Sequence, residues 1–256
     1  MLFDTHAHYD DEAFDPDRRE VLAGLPQKGV GLVVDPGCTL TSSEKAVALA
    51  AEFPHVYAAV GLHPENCHDF QPEQIERLRQ LAQREKVVAI GEVGLDYYWE
   101  ENPPRASAAG GAAARQLALA EELKCAVIFH DREAHGDSLA IVREFPAVRG
   151  VPLLSGSVEM AEELLKLGWM LSFNGAITFK NARKAPEVIA AVPLERMMVE
   201  TDASYLTPVP FRGKRNDSGY VHLVAEKIAQ LKGLPAEQVE RQTWENGVRF
   251  FGIPQE

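Results

Sequence analysis

Residues 56–96 read VYAAVGLHPENCHDFQPEQIERLRQLAQREKVVAIGEVGLD and contain one complete repeat of a parallel α/β architecture. Val56-Tyr-Ala-Ala-Val60 and Val87-Val-Ala-Ile90 are continuous apolar runs rather than alternating ones, so each reads as a strand covered on both faces. Between them, beyond Pro72, the residues Ile75, Leu78 and Leu81 recur at helical spacing. A strand, a helix and a second buried strand in that order imply a crossover between parallel neighbours.

The same alternation continues in both directions. Toward the N-terminus, Leu2, Phe3 and Asp4 form a short strand, residues 15–28 an amphipathic helix stopped by Gly29, and Gly31-Leu-Val-Val34 a strand entering Asp35-Pro-Gly-Cys38. Ser42 and Ser43 can cap a helix running through Phe53. Toward the C-terminus a helix ends near Leu123, a strand covers residues 126–130 and a helix covers 133–144. A short strand around 151–154 is followed by a helix from near Ser157, with Met160, Leu164 and Leu167 on one side. Strands at 169–173 and 197–200 flank a helix over 186–191, and helices at 220–231 and 237–251 finish the chain. Eight such units in 256 residues predict a single (β/α)8 barrel spanning residues 1–256. No glycine-rich dinucleotide fingerprint follows the first strand, which counts against an open doubly wound sheet.

Composition narrows the functional classes. With 46% hydrophobic and 25% charged residues the chain can bury a large core. It has no apolar run of about 18 residues, so no membrane span is expected. It also lacks a basic region followed by an apolar segment at the N-terminus, so no cleaved signal is expected. Cys38, Cys67 and Cys125 are scattered and odd in number, which fits a reduced, cytoplasmic protein better than a disulfide framework. A formal net charge of −12 argues against nonspecific nucleic-acid binding through a basic surface. It leaves open a phosphate substrate held locally by metal ions and a few Lys or Arg residues.

In barrels the chemistry sits where the strands end at their C-termini. The polar residues there are His6 and His8 on the first strand, Asp35 on the second, His63 on the third, Glu92 on the fourth, His130 on the fifth and Asp202 on the eighth. His6 and His8 are two apart, so on a strand their imidazoles project from the same face. Four imidazoles and several carboxylates at a buried rim must be paired or bound to metal.

Six motifs in order, Thr5-His6-Ala7-His8, Gly61-Leu62-His63-Pro64, Gly91-Glu92-Val93-Gly94-Leu95-Asp96, His130-Asp131-Arg132, Ser155-Gly156-Ser157 and Glu200-Thr201-Asp202, resemble those of the TatD-type metal-dependent deoxyribonucleases. They span nearly the whole chain at barrel spacing, although His-x-His on the first strand is shared with the wider amidohydrolase group. The resemblance implies hydrolysis of DNA phosphodiesters with a 3′–5′ exonuclease polarity, and a monomer is expected. It further implies that His6, His8 and Asp202 hold one divalent ion and that Glu92 bridges to a second held partly by His130. Asp202 also orients or deprotonates the attacking water, and His63 contacts phosphate or serves structurally above Pro64. The donors suit Mg²⁺, Mn²⁺ or Zn²⁺.

Other residues carry weaker assignments. Asp35 supports the ligands rather than joining them. Arg132 and His135, placed on the helix after His130, reach substrate or stay in solvent. Tyr97, Tyr98 and Trp99 fit aromatic loop packing better than base stacking. Phe211-Arg212-Gly213-Lys214-Arg215 follows the eighth strand, where barrels often bind phosphate, so Arg212, Lys214 and Arg215 are candidate phosphate contacts.

Three departures from the family pattern stand out. The usual Phe-His-Cys-Phe segment, whose histidine ligates the second ion, is replaced by Pro152-Leu153-Leu154, so the second ion is expected to be weak or absent. The stretch from Ala106 to Ala114 replaces a charged amphipathic helix having a buried phenylalanine, and its Gly110-Gly111 pair costs roughly 1 kcal/mol per glycine in a helix. Ser204 replaces the proline of Thr-Asp-Ala-Pro and should loosen the turn beside Asp202. The first two patches are what a local shift of reading frame produces, and resequencing the coding DNA tests that origin. Two other functions remain open. One is a small-molecule amide, lactone or phosphoester hydrolase, disfavoured because the fourth strand ends in Glu92 rather than a bridging lysine. The other is a weakly catalytic binding barrel, favoured by the missing histidine.

Overall fold

The computed structural model describes residues 1–98, 103–152 and 156–254, with the backbone alone over 103–107. Among these residues the chain alternates strand and helix. The order is β1 (Leu2–Asp4), α1 (Arg18–Gly24), β2 (Val30–Pro36), α2 (Leu40–Glu52), β3 (Val56–Val60), α3 (Glu73–Ala82), β4 (Val87–Asp96), α4 (Pro103–Leu123) and β5 (Ala126–Arg132). It continues with α5 (His135–Arg143), β6 (Arg149–Pro152), α6 (Val158–Lys166), β7 (Leu171–Phe173), α7 (Lys184–Ala191), β8 (Met197–Val199), α8 (Val221–Lys232) and α9 (Ala236–Phe251). Strands β1 to β6 pair in chain order, all parallel, and β7 pairs parallel with β8.

A few hydrogen bonds join the two groups of strands. The Met170 N–H donates to Gly150 O at 3.0 Å, and the Thr5 N–H donates to Val199 O at 3.1 Å. Beyond the last strand the closure continues, with the Asp202 N–H on His6 O at 2.9 Å and the His8 N–H on Ala203 O at 2.6 Å. The result is the (β/α)8 barrel that the alternation predicts. Phe3, Val34, Ala59, Ala89, Ile128, Val151 and Met198 gather in one buried cluster with Phe250 and Phe251 of α9, and the larger cluster lies between strands and helices.

Local differences from the sequence reading have simple causes. The helix expected over 15–28 is α1 followed by a separate 3-10 turn at Pro26–Lys28, because a proline cannot continue the hydrogen-bond ladder. Thr39, not Ser42 or Ser43, is the N-cap of α2. Its hydroxyl accepts from the Ser42 N–H at 3.0 Å while Ser42 Oγ accepts from the Thr39 N–H at 2.9 Å. Helix α4 runs unbroken through Gly110 and Gly111, with Ala109, Ala112 and Ala113 buried. Strand β6 is described as far as Pro152, which stands opposite Phe129. Leu153, Leu154 and Ser155 lie outside the described residues.

Candidate metal centre

Glu92 reaches the rim because β4 bulges. The register with β5 slips between Ile90 and Val93, re-aiming the intervening side chain. Glycine is required on both sides. A Cβ on Gly91 would sit 2.7 Å from Ile128 O, and one on Gly94 would sit 1.9 Å from His130 O. Asp202 stands in the left-handed region at φ 55°, a conformation that aspartate tolerates better than most residues.

Around Glu92 the donors form two groups. In the first, the Nε2 atoms of His6 and His8 are 2.9 Å apart. Each lies 3.4 Å from Glu92 Oε2, and they lie 3.8 and 3.6 Å from Asp202 Oδ1. Donors that bind a cation at about 2.1 Å stand roughly 3.0–3.4 Å from one another, so the two imidazoles and Glu92 have the spacing of a coordination shell, with Asp202 a few tenths of an ångström further out. Two buried imidazole nitrogens facing each other beside two carboxylates fit a divalent cation by donor chemistry as well as by spacing. Without a cation, protons must fill that role. Burial pushes His6 down, but the charge and hydrogen bond of Glu92 reverse this and leave it raised. His8 is likewise raised well above the ordinary imidazole range, burial being outweighed by Cys38, Asp10 and Glu92. Glu92 is held well below the carboxylate range because His6 and His130 overcome its burial.

The second group is His63, Glu92 and His130. Here both nitrogens of His130 are already engaged, Nδ1 with Glu92 Oε1 at 2.8 Å and Nε2 with Asp96 Oδ2 at 2.9 Å. Against the effect of burial, those two carboxylates raise His130 to about 10. His63 is neutral, pushed down to about 3 by burial and by His130. Its Nδ1 accepts from the Glu65 N–H at 3.3 Å, which leaves the proton on Nε2, 4.0 Å from Glu92 Oε1. A cation would find no free imidazole lone pair in this group as it stands.

Several supporting residues escaped the sequence reading. Asp4 ties β1 to the Asp202 turn, accepting from the Thr201 N–H at 2.9 Å and the Thr201 hydroxyl at 2.6 Å. Burial raises Asp4 to about 6, and Glu200 beside it to about 7. Gln116 of α4 brackets Leu62, next to His63, accepting from its N–H at 2.8 Å and donating to its carbonyl at 3.1 Å. Buried Asn216 holds the turn containing Ser204. Its N–H donates to Ser204 O at 3.1 Å, and its Nδ2 donates to Thr201 O at 3.0 Å and Tyr205 O at 2.6 Å. The turn is therefore fixed without proline. In sequence Asp4, Gln116 and Asn216 are ordinary polar residues, whereas Glu200 and Thr201 lie in the Glu200-to-Asp202 motif and Asp96 in the Gly91-to-Asp96 motif.

The remaining assigned residues divide. Asp35 is buried and raised well above its usual range by burial and by Asp10, and it lies in one cluster with His8 and Asp10, whose Oδ1 is 3.8 Å from His8 Nδ1. Arg132 is the last residue of β5, not part of the helix, and its guanidinium lies 3.9 Å from the centre of the Tyr98 ring. His135 opens α5 and pairs with Asp131 at 2.7 Å. Tyr97 packs at the edge of the core and its hydroxyl donates to Asp137 at 2.7 Å, whereas Tyr98 is exposed and Trp99 lies outside the described residues. Arg212 and Lys214 are exposed, lying against Phe179 and Phe211. The Arg215 guanidinium makes paired bonds to Asp17 at 2.8 and 2.7 Å and a third to Ala13 O.

A barrel that gathers imidazoles and carboxylates of this kind at one rim is a metal-dependent hydrolase in its class. The chain matches the family described as TatD related DNase over residues 3–252 and belongs to it. It is 41% identical to the uncharacterized metal-dependent hydrolase YabD of Bacillus subtilis, over 99% of this chain and 100% of that one. It is 30% identical to the 3′-5′ ssDNA/RNA exonuclease TatD of Klebsiella pneumoniae, over 98% of each chain. The crystal structure of the TatD homologue YjjV from Escherichia coli superposes with a TM-score of 0.92 at 30% identity, covering 99% of this chain and 98% of that one.

Proposed function

We propose that the protein is a cytoplasmic deoxyribonuclease that hydrolyses phosphodiester bonds of single-stranded DNA from the 3′ end, using one tightly held divalent cation. The observation that carries this reading is the donor cluster of His6, His8 and Asp202, with Glu92 Oε2 3.4 Å from both imidazoles and a second set of polar groups across Glu92. The exonuclease named among the relatives supports the choice of substrate and polarity. No helix among the described residues is long and apolar enough to cross a membrane, and all three cysteines are free.

A divalent cation on that shell supplies Lewis-acid stabilisation of a phosphoryl oxygen and lowers the pKa of a bound water. Asp202 has the most exposed side chain of the four donors and faces the open end of the barrel. As the least buried donor, Asp202 accepts the proton of the attacking water as its oxygen bonds to phosphorus, and returns that proton to the leaving 3′ oxygen as the scissile P–O bond breaks. The neutral Nε2–H of His63 donates to a non-bridging phosphate oxygen. His130, charged between Glu92 and Asp96, contributes positive potential where the family places a second ion. Arg132 receives the adjoining phosphate, with Arg212 and Lys214 further out.

The test is cleavage of a single-stranded oligonucleotide carrying a label at either end, with Mg²⁺ or Mn²⁺. Stepwise loss from the 3′ end is expected. Release from the 5′ end would overturn the polarity, and hydrolysis of small phosphoesters without cleavage of DNA would overturn the substrate class.

A further inference from the structure

His8 Nε2 belongs to the shell with His6, Glu92 and Asp202, but Nδ1 of the same ring faces a different set of donors. Asp10 Oδ1 lies 3.8 Å from it, Cys38 Sγ 3.9 Å and the Pro36 carbonyl oxygen 3.0 Å. The Asp35 carboxylate completes the group, with an oxygen within 4.8 Å of the His8 and Asp10 donor atoms. Asp35 is 0% and Asp10 6% exposed, yet both oxygens of Asp35 and Oδ1 of Asp10 accept no hydrogen bond from any described residue. Two buried carboxylates so placed call for a positive charge between them, either a proton or a cation.

The turn after β2 holds the thiol in this group. Gly37 O accepts from the Glu92 N–H at 3.0 Å, Cys38 O accepts from the His63 N–H at 2.9 Å, and the Cys38 N–H donates to Ser42 Oγ at 2.7 Å. Glycine is needed at 37, where a Cβ would stand 2.5 Å from Ser43 Cα. His8, Asp10 and Asp35 are buried and Cys38 is partly exposed, which gives a cation its way in. Around a tetrahedral Zn²⁺ a nitrogen donor stands roughly 3.6 Å from a sulfur and roughly 3.4 Å from an oxygen. The Cys38 and Asp10 donors are within a few tenths of an ångström of that spacing from His8 Nδ1. A thiolate, an imidazole nitrogen and carboxylate oxygens together favour Zn²⁺ or Cd²⁺ over Mg²⁺ and Mn²⁺.

We propose that Asp10, Asp35, Cys38 and Nδ1 of His8 form a second site, for a soft divalent cation such as Zn²⁺ or Cd²⁺, that competes with the first centre for His8. A neutral imidazole has one lone pair. With the proton on Nδ1, donated to Pro36 O, the lone pair at Nε2 serves the first centre. A cation on Nδ1 leaves the ring proton on Nε2 after exchange with solvent, and the Cys38 thiol gives its proton to water. The first centre then loses one of its two imidazoles. The soft cation thereby regulates metal loading, whatever the substrate of the first centre.

A Cd²⁺ titration of the Mn²⁺-loaded protein tests this. Thiolate-to-cadmium absorption reports the sulfur ligand, and the electron paramagnetic resonance of free Mn²⁺ reports the first centre. In the wild type one thiolate–Cd²⁺ bond per chain should form as one Mn²⁺ is released. Cys38→Ser should still bind Mn²⁺, lose the absorption and need more than about 10-fold more Cd²⁺ to release Mn²⁺. Asp35→Asn should shift both signals by a similar factor. X-ray absorption of the Cd²⁺-loaded wild type, which depends on no variant, should read one sulfur among nitrogen and oxygen neighbours. A Cd²⁺ shell without sulfur would overturn the proposal, as would Mn²⁺ release that Cys38→Ser leaves unchanged. Absorption that rises while Mn²⁺ stays bound would refute the shared imidazole, and absorption that Asp35→Asn leaves unmoved would place the thiolate at the first centre instead.

Discussion

Glu92 divides the site into two unlike halves. On one side, Oε2 meets His6 and His8, whose Nε2 atoms face each other at 2.9 Å with no protein group between them. On the other, Oε1 meets His130, whose second nitrogen is taken up by Asp96. The first half is arranged around a charge that the protein itself does not supply. The second half supplies its own, as an imidazolium between two carboxylates. One carboxylate can thus serve a cation and a hydrogen-bonded histidine at once, and histidine content alone does not distinguish the two uses.

The comparison breaks most readily at Asp202. Asp202→Asn keeps the size of the side chain but removes a charged ligand and the proton acceptor, so kcat for DNA cleavage should fall roughly 10²–10⁴-fold with the thermal midpoint little changed. An activity within a few-fold of wild type would remove Asp202 from the chemistry. The second half can be converted toward the first. Leu153→His returns an imidazole to the segment where the family carries one and should tighten binding of a second Mn²⁺ on the order of 10–100-fold, read by calorimetric titration. Unchanged stoichiometry and affinity would show that His130 remains tied to its carboxylates.

Acidity sharpens the comparison next. In the metal-free protein the raised values of His6 and His8 mean that the fold binds protons there. Asp4 and Glu200, raised to about 6 and about 7, act in the same sense. For all four, the stabilisation is complete below the unfolded pKa and is lost as pH rises through the folded one. The EDTA-treated protein should therefore lose thermal stability between about pH 5 and pH 8. A divalent cation replaces the lost protons, so the gain in Tm on adding Mn²⁺ should be larger at pH 8 than at pH 5.5, and binding should release protons. An equal gain at both values would contradict proton displacement.

The smallest effect concerns the helix behind the second half. Gly111 is exposed in α4, with nothing within 4 Å of a built Cβ, so Gly111→Ala should stabilise the protein by about 1 kcal/mol. Chemical denaturation checks this, and a loss of stability would mean that α4 is not a continuous helix there. Because Gln116 of the same helix fixes Leu62 beside His63, the substitution should not change metal binding in the first half.

Sequence reading reached the barrel because its signals are local: continuous apolar strands, helical spacing, and polar residues where the strands stop. His6, His8, Glu92 and Asp202 come together as that logic requires. The unread features depend on contacts between distant parts of the chain. Arg215 sits in the densest basic cluster, yet it is spent on Asp17, 198 residues earlier. Asp4 and Thr201 meet only because the barrel closes, and Asn216 compensates for the absent proline at Ser204 from a loop with no motif of its own. Arg132 moved from helix to strand because β5 continues past His130 to the rim.

The account turns on the inequality of the two halves, and direct metal analysis tests it. Protein dialysed against a few micromolar Mn²⁺ and measured by plasma mass spectrometry should hold one ion per chain, lost in His8→Ala and retained in His130→Gln. Two ions of equal affinity per chain, or loss of the tight ion in His130→Gln with His8→Ala unaffected, would contradict it.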